Sequence, residues 1–166
     1  MSSIRFTPEH IESLPPNNIF VFGSNTAGRH GKFAALTAKE NFGAIYFVPE
    51  GIQGQSYAIP TCDSYYKALD LNTIRQSINK FTEFAKAHPE LTFWVTKLGC
   101  GSAGHHPSHV GAMFSEAKKL PNVVLPLEFV KAIADRRVAK IYNQGVRHNE
   151  FDESGKPRYG KPNQKA

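Results

Sequence analysis

Two glycine-rich stretches carry most of the side chains that could do chemistry. The first, GSNTAGRHG at residues 23–31, holds Gly23, Ser24, Asn25, Gly28, Arg29, His30 and Gly31. The second, GCGSAGHHPS at residues 99–108, holds Gly99, Cys100, Gly101, Ser102, Ala103 and Gly104 ahead of two histidines. Each follows a short apolar run and precedes a helical pattern. Glycine after a strand lets backbone amides approach a phosphate, and the start of a helix adds positive potential there. Two such loops suit a diphosphate or a nucleotide. Neither matches GxGxxG with a downstream acidic residue or ends in GK[ST], so a dinucleotide dehydrogenase and an NTPase are disfavoured.

Asn25, at the end of a strand pattern, can offer its amide to a ligand hydroxyl, although asparagine also suits such positions as a turn former. Arg29 can pair with phosphate oxygens in bidentate fashion or stand on the surface. Imidazoles serve as general acids and bases near neutral pH, which makes His30 one candidate for work at a glycosidic carbon. Asp63 is the best-placed carboxylate for activating water, with a solvated loop aspartate as the plainer alternative. Gln55 and Ser56 can supply amide and hydroxyl contacts or simply open a strand, and Lys97 can meet a phosphate or be a strand-end charge. Cys100 beside His105 and His106 permits a thiol nucleophile, but a cysteine between glycines is also a small apolar filler. His105, His106 and His109 straddle Pro107 at a helix start, which spoils a shared ligand face; no metal and no resident cofactor are expected.

These residues need a scaffold of alternating elements. Short β-branched or aromatic runs bounded by Gly, Pro or Asn predict strands at 19–22, 44–48, 56–60, 92–96 and 122–126. Helices are expected at 32–41, 72–87, 108–119 and from 127 to about 142. In the second of these, Ile74, Ile78, Phe81, Phe84 and Ala85 recur at steps of three and four, one buried stripe. The continuously apolar strands imply cover on both faces, hence an α/β fold, a three-layer α/β/α sandwich around a mixed central sheet. Trp94, between Phe93 and Val95, reads as core.

The chain has 166 residues and 40% hydrophobic content, enough for a single core, so residues 1–145 are read as one domain. Residues 146–166 read as a basic tail rich in Gly, Pro and charge. From Asp135 onward eight basic residues face four acidic ones, supplying +4 of the net +6. Such a tail can hold nucleic acid or be a solvated extension. No run approaches a membrane span, the N-terminus lacks the apolar core of a secretory signal, and the two cysteines form no CxxC pair. A soluble cytoplasmic protein with reduced thiols, and no membrane partner, is the expectation.

The order FVFGSN, a glycine-containing loop and helix, SYAIPT ending at Thr61, then FWVTKLGCGSAGHHPS and another helix resembles a divergent macrodomain, the ADP-ribose-binding fold. The strings GSN, GRHG, QGQSYAIPT and GCG bring it closer to small macrodomain-like proteins of bacteria and their phages, over roughly residues 19–126. The resemblance implies that Asn25 faces the distal ribose, that residues 28–31 form the first loop and that residues 99–104 wrap the diphosphate. It departs from the family where AGRHG replaces a run of three or four glycines. An ADP-ribose-type small molecule or an ADP-ribosylated macromolecule is the implied partner. Hydrolysis of an ADP-ribosyl bond by His30 or Asp63, capture without turnover, and nucleic-acid association through the basic tail remain three readings.

Overall fold

A computed structural model describes the backbone of residues 5–145 and the side chains of residues 5–136. The basic tail expected from residue 146 lies outside the described residues. The chain divides into two compact units, Met1–Ile133 and Ala134–Ala166, and the site lies in the first. Five strands, β1 (Asn18–Asn25), β2 (Gly51–Gln53), β3 (Ser56–Cys62), β4 (Thr92–Val95) and β5 (Val123–Val124), form one sheet in the order β2-β3-β1-β4-β5. β1 runs parallel to β3 and β4, β4 runs parallel to β5, and β2 pairs antiparallel with β3. The mixed sheet expected from the sequence is therefore present, with β1 at its centre.

Side chains of a strand alternate between faces, and β1 uses this to serve two cores. Ile19 and Val21 join the larger cluster, which also holds Ile74, Ile78 and Phe81 of α2 (Leu71–Ala87) and Phe129 of α5 (Leu127–Gly145). Phe20 and Phe22 point the other way, against Ala35 and Ala38 of α1 (Phe33–Asn41). Asp70 caps α2 by accepting from Thr73 N at 2.7 Å, and the stripe read from the sequence is buried apart from the half-buried Phe84. Besides α1, the face bearing Phe20 is covered by the segment of residues 5–16, whose Ile11 and Leu14 pack on the smaller cluster.

That segment is strapped down along its length. Thr7 donates from its backbone N to Leu125 O at 3.0 Å and from its hydroxyl to Val124 O at 3.1 Å. Arg5 lies over the Trp94 ring at 5.7 Å. The Gln55 carboxamide donates to Leu14 O and Pro15 O at 3.1 and 2.8 Å.

Three elements differ from expectation, one of them β2, which was not among the expected strands. Residues 44–48 form a turn, not a strand. Phe47 sits at φ 71° and donates its N–H to Gly28 O, while Ile45 N–H donates to the Gln53 side chain, so this backbone is satisfied locally. The helix expected at 108–119 is split into α3 (Pro107–Ala112) and α4 (Ser115–Lys118). Between them Met113 N and Phe114 N bond to carbonyls three residues back, and Phe114 stacks on Phe129 with ring centroids 5.4 Å apart. The tight bonds break the α register so that Phe114 reaches the core.

Candidate functional site

A cavity of about 670 Å³ opens at the carboxyl ends of β1, β3 and β4 and runs along the sheet face between α1 and the strap. Its size is within the roughly 300–1,000 Å³ usual for small-molecule sites. The loops after β1 and β4 both border it, as expected for open α/β sheets. From the end of β1 and the loop after it come Gly23, Ser24, Asn25 and Arg29, from the loop after β4 Gly99, Gly101, Ser102 and Ala103, and from the end of β3 Thr61.

The first loop owes its shape to Asn25. The β1–β3 register shifts between Ser24 and Asn25, an irregularity of the kind that re-aims a side chain at a sheet rim. The Asn25 carboxamide, 5% exposed, accepts from Arg29 N at 3.0 Å and donates to Arg29 O at 2.8 Å. One amide proton and one lone pair are left over for a ligand. Gly23 allows β1 to lie close to its neighbours: a Cβ there would come within 3.2 Å of the Thr61 hydroxyl and 3.3 Å of Leu98 Cβ. Ser24 and Thr61 direct their hydroxyls to the carbonyls of Pro49 and Ser24.

In the second loop Gly99 adopts φ 79° and Gly104 φ 72°. Gly104 N donates to Gly101 O and His105 N to Gly99 O, both at 2.9 Å. The N–H groups of Gly101, Ser102 and Ala103 have no hydrogen-bond partner among the described residues, and all three residues line the cavity. Successive free amides in a turn form a concavity suited to an anion.

Several sequence candidates are placed elsewhere. His30 is fully buried: Nε2 is 3.1 Å from Val48 O and 3.2 Å from Gln53 Oε1, and the ring meets Phe22 edge-on at 5.2 Å. It ties the first loop to the turn at 44–48 and does not line the cavity. Gly28 belongs to the same junction, since a Cβ would come within 2.6 Å of the Phe47 carbonyl carbon. Asp63 accepts from Tyr65 N and Lys67 N at 2.8 and 3.0 Å, closing its own turn outside the cavity lining. Gln55 and Ser56 lie at the amino end of β3, opposite the cavity end, where one binds the strap and the other donates to Gln53 O. Gly31, Cys100 and Gly104 belong to the loops but do not line the cavity. Burial pushes the Cys100 thiol up to about 11, against a smaller opposing pull from Lys97, so it is not a ready thiolate. His105 is held on Leu69 O and His106 caps α3, and no cluster of metal-ligating side chains occurs among the described residues.

Other lining residues were not legible. Glu9, His10 and Glu12 reach the cavity from the strap, and Phe33 and Tyr66 from its rim. Lys97, which the sequence did single out, also lines it but is held between Glu9 and Glu128 at 3.0 Å each, which raises the ammonium and lowers Glu128 from their usual ranges. No element of the sequence marks residues 5–16 as a cavity wall, since they form neither helix nor strand.

No family model matches the chain, and no curated protein matches it in sequence. Among solved structures it resembles Thermosipho africanus DarTG in complex with ADP-ribose, with a TM-score of 0.52 and 22% identity over 66% of this chain. The match spans 38% of the DarTG chain. A protein of unknown function from Bacteroides thetaiotaomicron matches with a TM-score of 0.50 and 17% identity, covering 66% of this chain and 87% of that one. The shared property is the fold, which is macrodomain-like. No helix among the described residues is long and apolar enough to cross a membrane.

Proposed function

We propose that the chain binds ADP-ribose or a related NAD-derived nucleotide in this cavity and acts by capture. The observation that carries the reading is the row of unpartnered amides at Gly101, Ser102 and Ala103, in residues that line the same ligand-sized cavity as Asn25. In this reading the amides hold the diphosphate and the free proton and lone pair of Asn25 meet ribose hydroxyls. The likeness to a structure solved with ADP-ribose supports the choice of ligand. Capture is favoured over hydrolysis by His30 or Asp63, because both of these candidates for activating water are engaged outside the lining, whose titratable strap side chains are Glu9, His10 and Glu12 instead.

Isothermal titration with ADP-ribose, using AMP and ribose 5-phosphate as partial ligands, tests the reading. Selective micromolar binding of ADP-ribose is expected, weakened by about tenfold or more in Asn25→Ala, a loss of about 1.4 kcal/mol or more. Absence of heat with all three ligands removes the proposal. Mass spectrometry of an ADP-ribosylated peptide after incubation addresses catalysis, and release of free ADP-ribose would replace capture by turnover.

A further inference from the structure

The strap separates two hollows. Pro8, His10, Ile11 and Glu12 line the cavity of about 670 Å³ on one side, and they also line a smaller hollow of about 240 Å³ that includes Trp94. A segment with space beside both faces packs sparsely, and of residues 8–14 only Ile11 and Leu14 join the smaller core cluster. Its backbone is held at the ends. The N–H groups of residues 9–14 have no hydrogen-bond partner among the described residues, while the anchors are Thr7 at one end and the carbonyls of Leu14 and Pro15 at the other. Few buried contacts and unpaired backbone mark a segment that opens readily. Among the described residues the middle is fastened by one polar contact, Glu9 to Lys97 at 3.0 Å.

This fastening meets the ligand cavity at Lys97. The ammonium lines the cavity just ahead of Gly99, where the second loop begins, and it also bonds Glu128 at 3.0 Å. The two carboxylates are not equivalent. Glu128 stands in the first turn of α5, where a helix favours negative charge, with Lys131 nearby. Glu9 sits on irregular backbone with its side chain 65% exposed. An anion arriving beside Lys97 is repelled by Glu9 and competes with it for the same cation. Exposed pairs of this kind are weak enough to exchange, and Glu9 is the partner free to leave. We propose that the strap is a lid latched by the Glu9–Lys97 ion pair, and that an anionic ligand in the cavity releases it by taking Lys97 from Glu9. The proposal rests on the nucleotide reading of the cavity for the source of the anion.

Trp94, the single tryptophan, reads the lid without a label. It shares the smaller hollow with the strap, Arg5 lies over its ring, and it does not line the ligand cavity. The test measures Trp94 emission and heat of binding for the full chain as wild type, Glu9→Gln, Glu128→Gln and Lys97→Met, alone and with ADP-ribose or inorganic pyrophosphate. Without ligand, Glu9→Gln is expected to shift the emission toward that of ligand-saturated wild type, and Glu128→Gln, which spares the latch, to leave it in place. Glu9→Gln should bind the anion about two- to fivefold more tightly, since its competitor is gone, and Lys97→Met should bind it more weakly than wild type. Opposite signs from the two ends of one ion pair separate a latch from a contact that only supports the fold, which would move both the same way. Pyrophosphate that shifts the emission without any binding of ADP-ribose keeps the latch and removes the ADP-ribose reading. ADP-ribose binding with emission unmoved, or with an affinity in Glu9→Gln equal to or below wild type, overturns the latch and keeps that reading. Absence of binding by both anions overturns the two together.

Discussion

His30→Ala separates a structural histidine from a catalytic one, and the structure fixes what it should do. The ring is fully buried, with its edge on Phe22 and its Nε2 shared between Val48 O and Gln53 Oε1. Removing a buried ring of this size costs about 3–4 kcal/mol in lost transfer and cavity formation. The lost hydrogen bond adds about 1 kcal/mol. Against this, Nδ1 is buried with no partner among the described residues, so its deletion returns about 1 kcal/mol. No new orphan is created, because Val48 O keeps the Gln53 amide and Gln53 Oε1 keeps Ile45 N–H. The net is about 3–4 kcal/mol, or roughly 6–16 °C in Tm for a chain of this length. Thermal melts and isothermal titration on the same samples check it: Tm falls by that amount, and ADP-ribose affinity at a temperature where the variant is folded stays within about twofold. Unchanged Tm with abolished binding or turnover would show that the ring acts on ligand.

Further outcomes follow from particular contacts. Gly28→Ala places a Cβ within 2.6 Å of Phe47 backbone at φ 69°, and should cost about 2–3 kcal/mol, read from urea unfolding. Cys100, raised to about 11 by burial, should alkylate with iodoacetamide on the order of a hundredfold more slowly than free cysteine at pH 7, measured by intact mass. Asp70 has its carboxyl lowered chiefly by the backbone bond from Thr73. A depressed folded value adds stability above the unfolded value, near pH 3.9, that is lost as pH falls through the folded one. Asp70→Asn, which keeps a capping oxygen, should therefore flatten the stability–pH curve below about pH 4.

The sheet and its two glycine loops were legible because local patterns encode them. The continuous apolar run IFVF, the stripe from Ile74 to Ala85 and the glycine-rich loops that follow two of the strands are short-range signals, and the structure retains them. The turn at 44–48 was misread because Ile45, Tyr46 and Phe47 have strand-like types while their exposure is set by Gly28 and Gln53, which lie elsewhere in the chain. The same limit divides the site. Asn25, Thr61 and the amides of residues 101–103 follow from position at strand ends, whereas the depth at which His30 sits depends on Phe22 and Gln53 closing over it. The strap residues and the rim aromatics carry no pattern at all: Glu9 and Phe33 become cavity residues only through tertiary placement.

The hydroxyl of Thr7 meets Val124 across 117 positions of sequence, and this sets an order of events during synthesis. β1 leaves the ribosome first among the strands but waits for β3 and β4 before it is flanked, and Thr7 of the strap, earlier still, finds its partners only when β5 and Leu125 have emerged. Contacts so remote in sequence are late and slow to form. The growing chain therefore completes its sheet before Thr7 docks, and a nascent chain stopped short of residue 122 would carry both glycine loops and the Gln55 and Lys97 contacts of the strap without the Thr7 bonds that fix its beginning.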